Sequence, residues 1–110
     1  MNAKDYQVMR GKFLTETLEL SDRKRIEYTE GNHHENVLWN FENIAKTLGL
    51  SPMQVLSVYL LKHTSSVFNY FKDGKEYSEG IEGRIMDIIN YLLLLIAMIR
   101  TYKKQGGDSE

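Results

Sequence analysis

Residues 78–95, SEGIEGRIMDIINYLLLL, set the terms for any fold of this chain. They read as a long, very apolar helix that still carries Glu79, Asp87 and Asn90. At about 100° per residue these three fall on one side, with Gly83 between them. A buried carboxylate or amide without partners costs several kcal/mol. A helix this apolar therefore keeps such groups for a reason, either a partner helix or a ligand.

The chain has 110 residues, the size of one domain. We expect a single helical domain over 1–104 and a polar tail over 105–110. Lys and Arg total 14 against 15 Asp and Glu, a net charge of −1. Nonspecific nucleic-acid binding needs a basic face, and this balance gives no case for one. With no cysteine, thiolate zinc sites, disulfide scaffolds and cysteine nucleophiles are excluded. Residues 1–10 show no secretory signal. The 85–99 stretch is shorter than the roughly 20 residues of a membrane span, and Asp87 and Asn90 interrupt it. A buried core helix or an oligomer contact is the better reading. The expected setting is cytoplasmic.

Every periodic segment is helical in spacing, and none alternates as a strand does. A first helix is expected over 5–20, with Tyr6, Met9, Phe13 and Leu20 as its apolar side. Ser21-Asp22 is placed to cap a short charged helix over 23–29. Asn32, with Glu35 three residues on, is expected to start a second helix that Gly49 ends. Ser51-Pro52-Met53-Gln54 joins an N-cap serine, a proline at N1 and a glutamine at N3, the strongest local signal in the chain. The helix it opens should run to about residue 72. The last helix should begin near Ser78 and reach 102 or 103, with Ile81, Ile85, Ile88, Leu92, Leu95 and Ile99 as its core stripe. The expected fold is all-α, a bundle of four main helices plus a short one, with a homodimer as the oligomeric expectation.

Glu79, Glu82 and Asp87 are the candidate metal ligands, since hard divalent cations such as magnesium take carboxylate oxygens. Acids in a first helical turn also stabilise the helix dipole with no further role. For Asp87 and Asn90 the alternative is a hydrogen-bond network that fixes helix register. Lys62 is placed either to pair with a carboxylate of the last helix or to hold a phosphate. His63, among Tyr59, Leu60, Val67 and Tyr70, reads as a ligand-site base or as a hydrogen-bonded core residue. Adjacent His33 and His34 lack the four-residue spacing of a helical metal pair. Arg23, Lys24, Arg25 and Tyr28 suit a nucleotide phosphate and base, although Glu27 and Glu30 make a solvated face the simpler reading. Trp39 either packs under the preceding loop or lines a pocket. P-loop, dinucleotide, serine-triad and HExxH motifs are absent from the sequence.

Read as a set, Tyr28 before the Gly31 turn, Asn36 and Asn40-Phe41, Leu61-Lys62, and Asp87-Ile88-Ile89-Asn90-Tyr91 resemble small all-helical bacteriophage and prophage proteins, some of them labelled nucleotide-modification-associated. The likeness spans roughly residues 23–99. A more distant likeness is to MazG-type helical nucleotide pyrophosphatases, whose last acidic helix also carries an aspartate before an apolar run. Two departures stand out. The arginine that often follows the lysine of the third helix is replaced here by His63-Thr64-Ser65-Ser66, and the Glu-x-x-Glu pair of an earlier helix has only Glu16 and Glu19 as a match. The resemblance implies a phage-type accessory protein of the host cytoplasm that binds or processes a nucleotide, with Tyr28, Asn36, Lys62, His63, Asp87 and Asn90 at the ligand and magnesium as the cofactor. The alternative is a noncatalytic inhibitor or adaptor of a host enzyme.

Overall fold

The computed structural model describes residues 1–28, 35–76 and 79–105. It is an all-α bundle of four helices: α1 (Ala3–Tyr28), α2 (Trp39–Leu48), α3 (Pro52–Asp73) and α4 (Ile81–Gln105). There is no strand among the described residues. α3 and α4 form the main packed pair, α2 lies on α3, and α1 lies on α4.

α1 is one helix where two were expected. Ser21 and Asp22 sit inside it and start nothing new. The reason is tertiary. A stripe of Phe13, Thr17, Leu20, Ser21 and Lys24, at helical spacing, turns inward, and the backbone runs straight through to keep those residues on α4. Thr17 is fully buried and donates its hydroxyl to the Phe13 carbonyl at 2.8 Å. Tyr6 and Met9, expected on the apolar side, are exposed because α1 buries only this later stripe.

α2 starts at Trp39, later than expected. Ahead of it Asn36 builds a turn: its Oδ1 accepts from the Leu38 N–H at 3.0 Å, and its Nδ2 donates to Glu42 at 2.9 Å. Asn32, expected as the cap, lies outside the described residues, as do the His33-His34 pair, the Gly31 turn, Ser78 and the tail 106–110. Gly49 ends α2 at φ 71°, a left-handed conformation that favours glycine, and its N–H bonds the Ala45 carbonyl.

The start of α3 is as expected. The Gln54 N–H donates to Ser51 Oγ at 3.1 Å, the Ser51 N–H donates to Gln54 Oε1 at 2.8 Å, and Pro52 follows the cap. The short link makes α2 and α3 meet at 105°. This corner folds Leu38, Phe41 and Ala45 onto Val55 and Leu56, and Met98 of α4 closes the core.

α4 departs most from its expected orientation. Its buried side carries Arg84, Asp87, Asn90 and Met98, whereas Ile85, Leu92 and Ile99 of the expected core stripe are exposed. α4 is apolar around most of its circumference, so hydropathy alone selects no face. The polar residues select it, because only the side facing α1 and α3 supplies them with partners. The segment Ile81–Lys103, 23 residues of hydropathy 1.6, meets the length and composition of a membrane span, longer than the 85–99 stretch suggested. It nevertheless packs its three polar residues against neighbouring helices.

Candidate functional site

The inward side of α4 faces an open cleft of about 380 Å³ lined by parts of all four helices. The spacing of Asp87, Asn90, Tyr91 and Leu94 places them along one side of α4. α3 adds Tyr59, Lys62 and His63, the first and last one turn apart. α1 adds Ser21, Lys24 and Arg25, while Asn40 and Phe41 come from α2.

Aromatic rings form a connected wall. Phe41 and Tyr59 have centroids 5.5 Å apart, Tyr59 and Tyr91 6.1 Å, and Tyr91 and His63 5.4 Å. These are ordinary distances for tilted ring pairs. Around this wall stand three cationic side chains, Lys24, Arg25 and Lys62. Arg25 and Lys62 are exposed at the mouth, as is Glu79, Lys24 is about one-third exposed and paired with Asp87, and the aromatic surface lies deeper.

The polar end centres on Asp87, 7% exposed. Lys24 Nζ donates to its Oδ1 at 2.7 Å. Its Oδ2 faces His63 Nε2 across 3.7 Å, beyond hydrogen-bond length. Burial pushes the His63 pKa below its ordinary 6.5; Asp87 pulls the other way, and Arg84 reinforces the depression. A neutral imidazole is the form that accepts a proton or ligates a metal. His63 Nδ1 has no hydrogen-bond partner among the described residues, and neither has Asn90 Oδ1. The Asn90 amide donates to the Thr17 carbonyl at 3.4 Å, a long contact. Glu79 completes the cluster: one ligand atom each from His63, Glu79 and Asp87 lie within 4.8 Å of one another.

The structure thus brings together Lys62, His63, Asp87, Asn90 and Glu79 from the sequence-based set. Glu79 gets there from the bend ahead of α4, not from the helix where it was expected. Glu82 is exposed and does not line the cavity. Five residues before Asp87, it sits about 140° away around the helix. Asn36 is exposed and holds the turn before α2; Asn40, four residues on, lines the cavity instead. The Tyr28 side chain lies outside what is described, and half-buried Trp39 is not among the lining residues. The expected pairing of Lys62 with a carboxylate of the last helix is made by Lys24 instead.

From sequence, Lys24 and Arg25 read more simply as a solvated face than as a grip on a phosphate, and the rings of Phe41, Tyr59 and Tyr91 carried no ligand role. The available signal was the four-residue step from Tyr59 to His63, which puts a ring and an imidazole on one side of α3. Buried Arg84, one turn before Asp87, was not singled out.

Compared with known proteins, the chain matches no family model, no curated protein and no solved structure.

Proposed function

We propose that this chain binds a nucleotide, or a closely related phosphorylated aromatic ligand, in the cavity between its helices. The observation that carries this reading is the pairing of a connected aromatic wall, Phe41, Tyr59 and Tyr91, with two exposed cationic side chains at the mouth, Arg25 and Lys62. A base has a π-face to stack, and a phosphate takes up charge-assisted hydrogen bonds from lysine and arginine. About 380 Å³ is at the small end of ligand pockets, which suits a single nucleotide. The buried Asp87–His63 pair gives such a ligand an adjacent acid–base centre, so processing as well as binding is within its chemistry. The resemblance of residues 23–99 to phage and prophage proteins supports a role as an accessory protein in the host cytoplasm.

The test is isothermal titration with nucleoside mono-, di- and triphosphates, inorganic phosphate and pyrophosphate. Saturable binding of a nucleotide, weakened by Lys62→Ala, supports the reading. Absence of saturation by any of them at millimolar concentration overturns it.

A second reading rests on the outer side of α4. Ile85, Leu92, Ile96 and Ile99 are 36%, 46%, 47% and 39% exposed. With half-buried Ile89 they follow alternating steps of four and three residues, the spacing of a helix–helix seam. We propose that a second copy of the chain covers it. Light scattering that gives a monomer mass at 100 μM, about a hundredfold above a micromolar Kd, would remove this reading.

A further inference from the structure

We propose that His63, Glu79 and Asp87 form a binding site for one divalent transition-metal ion of the zinc or cobalt class, an inference that rests on the cavity of the nucleotide reading and deepens it. The donor set is mixed, one imidazole and two carboxylates. Imidazole suits zinc and its transition-metal neighbours, whereas magnesium prefers oxygen ligands throughout. The magnesium set expected from sequence, Glu79, Glu82 and Asp87, loses Glu82 to the far side of α4 and gains a nitrogen donor in its place.

The geometry fits an ion between these groups. His63 Nε2 and Asp87 Oδ2 stand 3.7 Å apart. That is too long for a hydrogen bond. Two ligand atoms each about 2.1 Å from a shared ion, and separated by this distance, subtend an angle of about 120° at it, close to tetrahedral or trigonal coordination. Glu79 offers a ligand atom within 4.8 Å of both, from the exposed bend before α4.

An independent observation comes from neighbouring atoms. Asn90, 8% exposed, lines the same cavity one turn along from Asp87, and its Oδ1 has no partner among the described residues. Buried oxygens are seldom left this way. An oxygen with nothing to accept from meets a metal-bound water as a natural donor. Lys24 takes only Oδ1 of Asp87 and leaves Oδ2 facing His63. Lys24 thus acts as a positioning residue, fixing the carboxylate rotamer as outer partners do at metal centres. A bound ion would give a phosphate entering past Lys62 a second cationic partner.

The experiment titrates the full chain, without nucleotide, with Co²⁺, Zn²⁺, Mn²⁺ and Mg²⁺ separately. Binding is followed by calorimetry and, for Co²⁺, by visible absorption. The expected result is one Co²⁺ or Zn²⁺ per chain, Mn²⁺ and Mg²⁺ weaker, and a loss of about tenfold or more in affinity with Glu79→Gln or His63→Ala. Glu79 is exposed, so Glu79→Gln keeps the test valid should His63→Ala fail to fold. A variant with both His33→Ala and His34→Ala should bind the ion like the parent. Less than one ion per chain, or Zn²⁺ affinity unchanged in Glu79→Gln, overturns the site. Because no nucleotide is present, that failure leaves nucleotide binding to be decided by its own titration.

Discussion

Lys24 of α1 and Asp87 of α4 are joined at 2.7 Å although 63 residues separate them in the chain. The pair holds the later part of α1 against the polar side of α4 and closes one wall of the cavity. The carboxylate is 9% exposed at its side chain and the lysine 34%. Removing the lysine therefore strands a buried charge, whereas removing the carboxylate frees an amine that can reach water. Lys24→Met should cost about 1–3 kcal/mol, below the full range for buried pairs because Lys24 is partly solvated. The double variant Lys24→Met/Asp87→Asn should recover much of that loss. Urea denaturation of the two single variants and the double variant measures the coupling; strictly additive costs would mean that the pair does not act as a unit.

The Tyr102 hydroxyl donates to Glu42 Oε2 at 2.8 Å and ties the end of α4 to α2. Burial, then the hydrogen bond and charge of Glu42, raise the Tyr102 pKa above its ordinary 10.0. The folded state thus keeps the phenol protonated where the unfolded chain begins to release it. The stabilisation is complete below pH 10 and falls away as pH rises further toward the folded-state value. Tyr102→Phe should cost about 1 kcal/mol at pH 8. The gap between parent and variant should narrow at pH 11. Chemical denaturation at the two pH values reads both effects, and a constant gap would assign the cost to packing alone.

Tyr59 stands between Phe41 and Tyr91 in the aromatic wall. If a base stacks there, Tyr59→Leu should lower nucleotide affinity by about 1–3 kcal/mol and leave inorganic phosphate unaffected. Lys62→Ala should weaken both ligands, since it acts on the phosphate. Calorimetric titration of the two variants with a nucleoside monophosphate and with phosphate separates the contributions. Equal losses for both ligands in Tyr59→Leu would count against stacking.

The capping box at Ser51 and Gln54 fixes the start of α3, the helix that carries Tyr59, Lys62 and His63. Ser51→Ala should cost about 1 kcal/mol, a fall of about 4–8 °C in Tm for a domain of this size. Gly49→Ala, at φ 71° with nothing within 4 Å of the added methyl, should cost about as much through backbone strain rather than crowding. Differential scanning calorimetry on the two variants tests both, and an unchanged Tm in Ser51→Ala would mean that tertiary packing alone holds the start of α3.

The sequence by itself determined the helical class, the start of α3 and the end of α2. Ser51-Pro52-x-Gln54 and Gly49 act through hydrogen bonds and dihedral angles a few residues long, and such interactions are complete within the local chain. It also marked Asp87, Asn90, Lys62 and His63, because polar groups amid apolar periodicity are visible without knowing their partners. Tertiary structure decided which way α4 turns and who pairs with whom. Leu92 to Met98 is apolar almost all round, so no pattern within the helix distinguishes an inner side. That choice came from partners remote in sequence, Lys24 for Asp87 and the Thr17 carbonyl for Asn90. The same contacts kept α1 continuous through Ser21-Asp22, two good capping residues that local chemistry would have used to begin a helix. Where the free energy lies in contacts across the chain, here the pairing of buried charge, local pattern names the residue but not its neighbour.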